Sequence, residues 1–172
     1  MTVMQPINFA KWIEDNQHLL KPPVGNKCMA EGDDFIVMIV GGPNDRTDFH
    51  VDPYEEWFYQ IKGNMHVNVH VDGKVQRIDI REGETWLLPR NTPHSPIRPE
   101  AGSIGLVMER IREPGTLEKF QWYCLDCDTL VHEVELQVTD IVVDLPPVFQ
   151  AFYDSVEART CPNCGAVHPG KG

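Results

Sequence analysis

Seven side chains in this sequence have types and spacings that can do chemistry: His50, Glu56 and His94, and the cysteines Cys124, Cys127, Cys161 and Cys164. The cysteines form two C-x2-C knuckles, Cys124-Leu125-Asp126-Cys127 and Cys161-Pro162-Asn163-Cys164, separated by a long insertion. Each knuckle supplies two thiolates, and the pair completes a tetrahedral four-sulfur site for zinc or iron. A thioredoxin-like redox pair would need a βαβ context, which the surrounding pattern lacks. Because a closed thiolate shell leaves no position for a substrate, this site is expected to be structural. The fifth cysteine, Cys28, reads as an inert small hydrophobe.

Taken singly, His50, Glu56 and His94 read as ordinary surface or core residues. Their framework changes that reading: His50 and Glu56 stand in a segment running from Gly42 to Gly63, and His94 ends Gly83-Glu84-Thr85-Trp86-Leu87-Leu88-Pro89-Arg90-Asn91-Thr92-Pro93-His94. Two histidines and one carboxylate brought together from neighbouring strands make a facial triad. Such a set points to ferrous iron, because three protein ligands leave about three positions open on an octahedral ion.

The elements that must position these residues are mainly strands. Strand-like runs at Phe35–Val40, Glu56–Ile61, Met65–Val71, Val75–Ile80, Thr85–Leu88 and Ile104–Glu109 are separated by Gly, Pro, Asn and Asp, with Val71-Asp72-Gly73-Lys74 as a hairpin turn. Many short strands without a helical pattern among them predict a sandwich or small barrel. Asn8 caps a brief amphipathic helix carrying Phe9, Trp12 and Ile13. Beyond Pro114 the texture changes, with a strand expected within Tyr123–Leu136 and a short helix over Pro146–Val156. The expected organisation is therefore a barrel with its N-terminal helix over residues 1–114, and a C-terminal extension over 115–172 packed with it as one unit.

Composition agrees with a folded chain. At 172 residues, 41% hydrophobic and 24% charged, it is long enough for one core. The net charge of −11, with basic residues scattered, excludes a phosphate-neutralising surface and makes nucleic acid an unexpected partner. No run approaches the ~20 apolar residues of a membrane span and no secretory leader is legible, so a cytoplasmic location away from membranes is expected.

The words His50-x-Asp52-x3-Glu56-x6-Gly63 and Gly83-x5-Pro89-x-Asn91-x2-His94 resemble the two motifs of the cupins. Asn44 replaces the glycine that usually opens the first motif, and Asp52 stands where a second histidine is common, leaving two histidines and one glutamate. A cupin (jelly-roll-type) β-barrel combined with a rubredoxin-like four-cysteine extension resembles the microbial 3-hydroxyanthranilate 3,4-dioxygenases. Local words carry the likeness further: Lys21-Pro22-Pro23-Val24-Gly25-Asn26, Val40-Gly41-Gly42-Pro43-Asn44, Arg46-Thr47-Asp48, Pro93-His94-Ser95-Pro96 and Trp122-Tyr123-Cys124.

That resemblance implies a homodimeric non-haem enzyme that opens the ring of a small aromatic acid. It implies Fe(II) on His50, Glu56 and His94, O2 as co-substrate, and a second iron or zinc on the cysteines. The substrate carboxylate needs a cationic clamp, and Arg46 and Arg98 stand four residues before His50 and four after His94. On extended chain that offset keeps each arginine on its ligand's face. Glu109, at the end of an apolar run, is either a strand-end residue in solvent or the group that contacts substrate and moves its proton. Asp48 is implied to serve catalysis by orienting His50 or an arginine, and the loop at Asn26 to close over the substrate. The rival readings are another iron cupin dioxygenase, acting on a thiol or a salicylate-like phenol, and a non-catalytic ligand-binding cupin.

Overall fold

The computed structural model describes residues 5–21 and 25–171. Helix α1 (Phe9–Asn16) begins where Asn8 Oδ1 accepts from the Lys11 amide, as the capping pattern predicted, and runs into a 3-10 turn at Gln17–Leu19. Strands β1 (Asn26–Glu31), β2 (Phe35–Gly41), β3 (Phe49–Val51), β4 (Glu56–Lys62), β5 (Met65–Val71) and β6 (Lys74–Ile80) follow. Then come β7 (Thr85–Leu88), β8 (His94–Ile97), β9 (Ile104–Arg110), β10 (Glu118–Tyr123) and β11 (Leu130–Leu136). Helices α2 (Ile141–Asp154) and α3 (Val156–Arg159) precede the second knuckle. Among the described residues no helix is long and apolar enough to cross a membrane.

The strands form two antiparallel sheets, ordered β1-β2-β9-β4-β7 and β11-β10-β3-β8-β5-β6. Alternation explains which faces meet. Along β4, Glu56, Phe58 and Gln60 are buried, and along β5 Met65, Val67 and Val69 are, so each strand turns every second residue to a common core. Phe58, Met65, Val67, Ile80, Leu88 and Val107 fill that core. Each buried side chain of this size contributes about 1.5–3 kcal/mol relative to exposure. The β5–β6 turn places Asp72 and Gly73 at φ 51° and 75°, the left-handed pair whose twist matches a two-residue hairpin.

The chain after residue 114 does more than append a knuckle: β10 pairs with β3, so it extends the second sheet beside His50. Helix α2 then packs Phe149 and Phe152 against Phe120 and Trp122 of β10. It starts five residues before the expected Pro146, because Asp144 Oδ2 accepts from the Thr139 and Asp140 amides and closes the first turn, with both prolines inside the helix. The strand reading did not separate out β1, β3, β8 and β10: β3 is three residues long, β8 carries Pro96, and β1 and β10 lack a clean alternation of buried and exposed residues.

Candidate functional site

The candidate site lies between the sheets. His50 of β3 and His94 at the head of β8 are register partners in the second sheet. Glu56, at the head of β4, and Glu109, near the end of β9, are register partners in the first. Glu56 is therefore not on a strand adjacent to His50; the turn at 52–55 carries the chain from one sheet to the other, and the triad closes across the barrel.

Its donor atoms converge. Glu56 Oε1 is 2.9 Å from His94 Nε2 and 3.5 Å from His50 Nδ1. Three ligands on one octahedral face, each about 2.1 Å from an ion, stand roughly 3 Å apart, close to these values. The outer ring nitrogens are fixed by acceptors: His94 Nδ1 lies 3.0 Å from the Thr92 carbonyl and His50 Nε2 lies 2.6 Å from Glu118 Oε2. With protons on those outer nitrogens, both inner nitrogens turn lone pairs toward a buried carboxylate oxygen that has no hydrogen bond of its own. A metal cation would satisfy three such converging acceptors. A proton is the alternative: burial works against a charged His50, but Glu118 and Glu56 outweigh it and lift the ring to about 10. Burial likewise pushes Glu56 upward, yet the pull of His94 and His50 holds it well below the carboxylate range.

Arg46, Arg98, Glu109 and Asn26 line the same cavity as the triad, about 120 Å³ in volume. That is comparable with the ~150 Å³ that takes one benzene ring. Arg98 is 1% exposed, and Nη1 donates to Gln60 Oε1 at 2.5 Å. Among the described residues no acid forms an ion pair with it, and burial lowers it to about 10. Its guanidinium lies against Gly105, where an added Cβ would stand 2.4 Å from Nη2. Arg46 Nε and Nη2 donate to the two carboxylate oxygens of Asp48, so Asp48 is held by an arginine rather than by His50. Neither arginine sits on a ligand's strand as the offset reasoning assumed: β3 begins at Phe49 and β8 ends at Ile97. Asn26, whose loop was expected to close over the substrate, opens β1 with its Nδ2 3.3 Å from Met38 Sδ, and residues 22–24 of that loop lie outside the described residues. Glu109 faces inward and accepts from Arg112 Nη1. Burial, then the charge of Glu56, push it up to about 7 against the pull of Arg112.

The four cysteine sulfurs also converge, with contacts of 3.5 Å (Cys124–Cys164) and 3.6 Å (Cys127–Cys161 and Cys127–Cys164). These are near the roughly 3.8 Å edge of a tetrahedron with ~2.3 Å metal–sulfur bonds and far from the ~2.05 Å of a disulfide. After the second knuckle, His168 N donates to the Arg159 carbonyl and Thr47 Oγ1 to the Gly170 carbonyl, bringing the end of the extension against the loop that carries Arg46.

The family model described as 3-hydroxyanthranilic acid dioxygenase matches residues 1–153. The chain belongs to the 3-hydroxyanthranilic acid dioxygenase family. Relatives named 3-hydroxyanthranilate 3,4-dioxygenase include that of Burkholderia cenocepacia, 56% identical over 167 residues (97% of this chain and 94% of that protein). That of Paraburkholderia phytofirmans is 55% identical over 171 residues, 99% of this chain and 98% of that protein. Among solved structures, a cupin-2 domain-containing protein from Shewanella frigidimarina covers 61% of this chain and 94% of its own, at 21% identity and a TM-score of 0.49.

In this member of the family, three residues at the site escaped the sequence reading. Gln60, the partner of Arg98, was legible in principle, because it shares the face of Glu56 and Phe58. Glu118 heads the alternation Glu118, Phe120, Trp122 on β10, a charge at the start of an inward face. Arg112 lies in a connection and has no local signal. Asp52 is no ligand of the triad: Oδ1 accepts from the Tyr54 amide and Oδ2 from Arg112.

Proposed function

We propose that this protein is a ring-cleaving dioxygenase that converts 3-hydroxyanthranilate and O2 to 2-amino-3-carboxymuconate semialdehyde, with Fe(II) held by His50, Glu56 and His94. The observation that carries this reading is Arg98, a buried guanidinium with no acid partner among the described residues, on the wall of a one-ring cavity that also holds the triad. A buried charge without a counter-ion is costly, and an anionic substrate would supply one.

Ferrous iron in the triad would supply the open coordination positions at which an ortho-aminophenol and O2 are brought together. The chain's own residues do the rest. Arg98 and Arg46 hold the substrate carboxylate, with Asp48 fixing the angle of Arg46. Glu109, buried and raised towards neutrality, accepts the proton that the substrate hydroxyl loses, and Arg112 keeps its carboxylate at the wall. The apolar lining from Met38, Phe58 and Val107 excludes water from the ring. Both oxygen atoms of O2 end in the product. The cysteine site, with iron or zinc, supports the fold.

The test is anaerobic addition of 3-hydroxyanthranilate to iron-loaded protein, followed by air. One O2 consumed per substrate, with the absorbance of the semialdehyde, is the expected result; substrate bound but oxygen left unconsumed would make the protein a binding cupin instead.

A further inference from the structure

The connection from β9 to β10 crosses from the first sheet to the second and carries Arg112 near its start. Arg112 Nε and Nη2 donate to the two oxygens of Glu118 at 2.8 and 3.2 Å, Nη2 also to Asp52 Oδ2 at 2.7 Å, and Nη1 to Glu109 Oε2 at 2.5 Å. Asp52 and Glu118 are almost wholly buried, whereas Arg112 is 23% exposed. His50, Asp52 and Glu118 also bring three donor atoms within 4.8 Å of one another. Arg112, however, is already bonded to two of those three residues and supplies the positive charge there. This is consequently a brace rather than a second cation site.

The two candidate histidines differ in what stands behind them. The outer nitrogen of His94 meets a neutral peptide carbonyl; that of His50 meets a carboxylate at 2.6 Å. An anionic acceptor on the outer nitrogen fixes the tautomer and ring plane and makes the inner nitrogen a better donor to a metal. Glu118 does this only if it is itself held, and its other bonds come from one guanidinium. Only a planar fork reaches Glu118 through two nitrogens while also reaching Asp52 and Glu109, which a lysine ammonium cannot do in the same geometry. Without it, Asp52, Glu109 and Glu118 would lose the guanidinium they share, and Glu118 would keep only His50 to hold it in place.

We propose that Glu118 and Arg112 are positioning residues of the metal centre: Glu118 orients His50 and strengthens it as a ligand, and Arg112 locks Glu118 in place while fixing Glu109 at the cavity wall. This rests on His50, Glu56 and His94 being a metal triad. One connection thus couples the two sheets' contributions to the site, the histidine of one and the glutamate of the other.

The experiment takes protein loaded with cobalt(II) at both sites and follows its loss in competition with a chelator. Thiolate-to-cobalt absorption reports the cysteine site separately, and His94→Ala serves as a variant lacking the barrel site. Glu118→Gln keeps an acceptor for His50 and the shape of the side chain but removes the charge. The expected result is barrel-site affinity lower by roughly 10–100-fold and faster loss of cobalt to the chelator, with the cysteine site unchanged. Arg112→Met should produce a comparable loss and Arg112→Lys a partial recovery. Barrel affinity and off-rate within about twofold of the parent in Glu118→Gln would overturn the proposal while leaving the triad standing, and so would an equal loss at both sites, which reports general unfolding. If the parent chain takes up no more cobalt than His94→Ala, the triad itself falls.

Discussion

Arg98 offers the sharpest test of the substrate. Burial takes its guanidinium from an ordinary 12.5 to about 10. At ~1.4 kcal/mol per tenfold that is about 3 kcal/mol held against the charged form in the free protein. A substrate carboxylate entering the cavity provides the missing counter-charge, so binding can recover a sum of that order. Arg98→Met keeps most of the stem but deletes the charge. It should lower kcat/KM for 3-hydroxyanthranilate about 100-fold, within the range of about 2–5 kcal/mol for leaving one partner of a buried pair uncompensated. Its stability should hold or rise, because among the described residues the deleted charge had only the Gln60 amide for a partner. The control is 2-aminophenol, which keeps the chelating hydroxyl and amine and lacks the carboxylate. It should be a poor substrate for the parent enzyme and nearly indifferent to Arg98→Met. Steady-state oxygen uptake with both compounds, alongside thermal unfolding, gives the comparison. Equal losses for both substrates, or a loss that tracks a fall in melting temperature, would show that Arg98 supports the barrel and would remove the carboxylate from the account.

Gly105→Ala would put a methyl group where the Arg98 guanidinium lies, and that flexible tip must move; KM for 3-hydroxyanthranilate should rise with the fold intact, while turnover of 2-aminophenol is unaffected. Glu109 accepts a proton only when ionised, so kcat/KM of the metal-loaded enzyme should climb with pH with its midpoint at or below about 7, since a cation on Glu56 removes part of the upward push. Glu109→Gln should abolish that acid limb, and a limb that survives in the variant assigns it to another group. Cys161→Ser should lower the melting temperature by about 10 °C, several kcal/mol at ~2–4 °C each, while the folded remainder keeps most of its turnover; a stable but inactive variant would place the cysteines in the chemistry.

What was legible in the sequence was whatever rests on local pattern. The β5–β6 hairpin shows in Asp72-Gly73, and the strands with clear alternation appear within a residue or two of where they were read. The knuckles are legible because each pair is held by its own tight turn. The meeting of His50, Glu56 and His94 could be read as a combination of motifs, but not its geometry, because the crossing between sheets at 52–55 is a property of the barrel. The brace at Arg112 was hidden for a related reason. Its partners come from positions 52, 109 and 118, and nothing in the connection that carries it is periodic. Arg98 was picked out by its offset from His94, although the burial that gives it meaning comes from β4 and β9, through Gln60 and Gly105.

The hydrogen bond from Thr47 to the Gly170 carbonyl has a practical side. Gly170 is thereby tied to the loop that aims Arg46, so a substitution at Thr47 or Gly170 would disturb that arginine without touching the triad. Residues of α1, by contrast, do not line the cavity of the triad. Substitutions at the Thr47–Gly170 contact would then change apparent affinity for an anionic substrate where substitutions along α1 would not, a distant effect that starts in the extension rather than at the metal site.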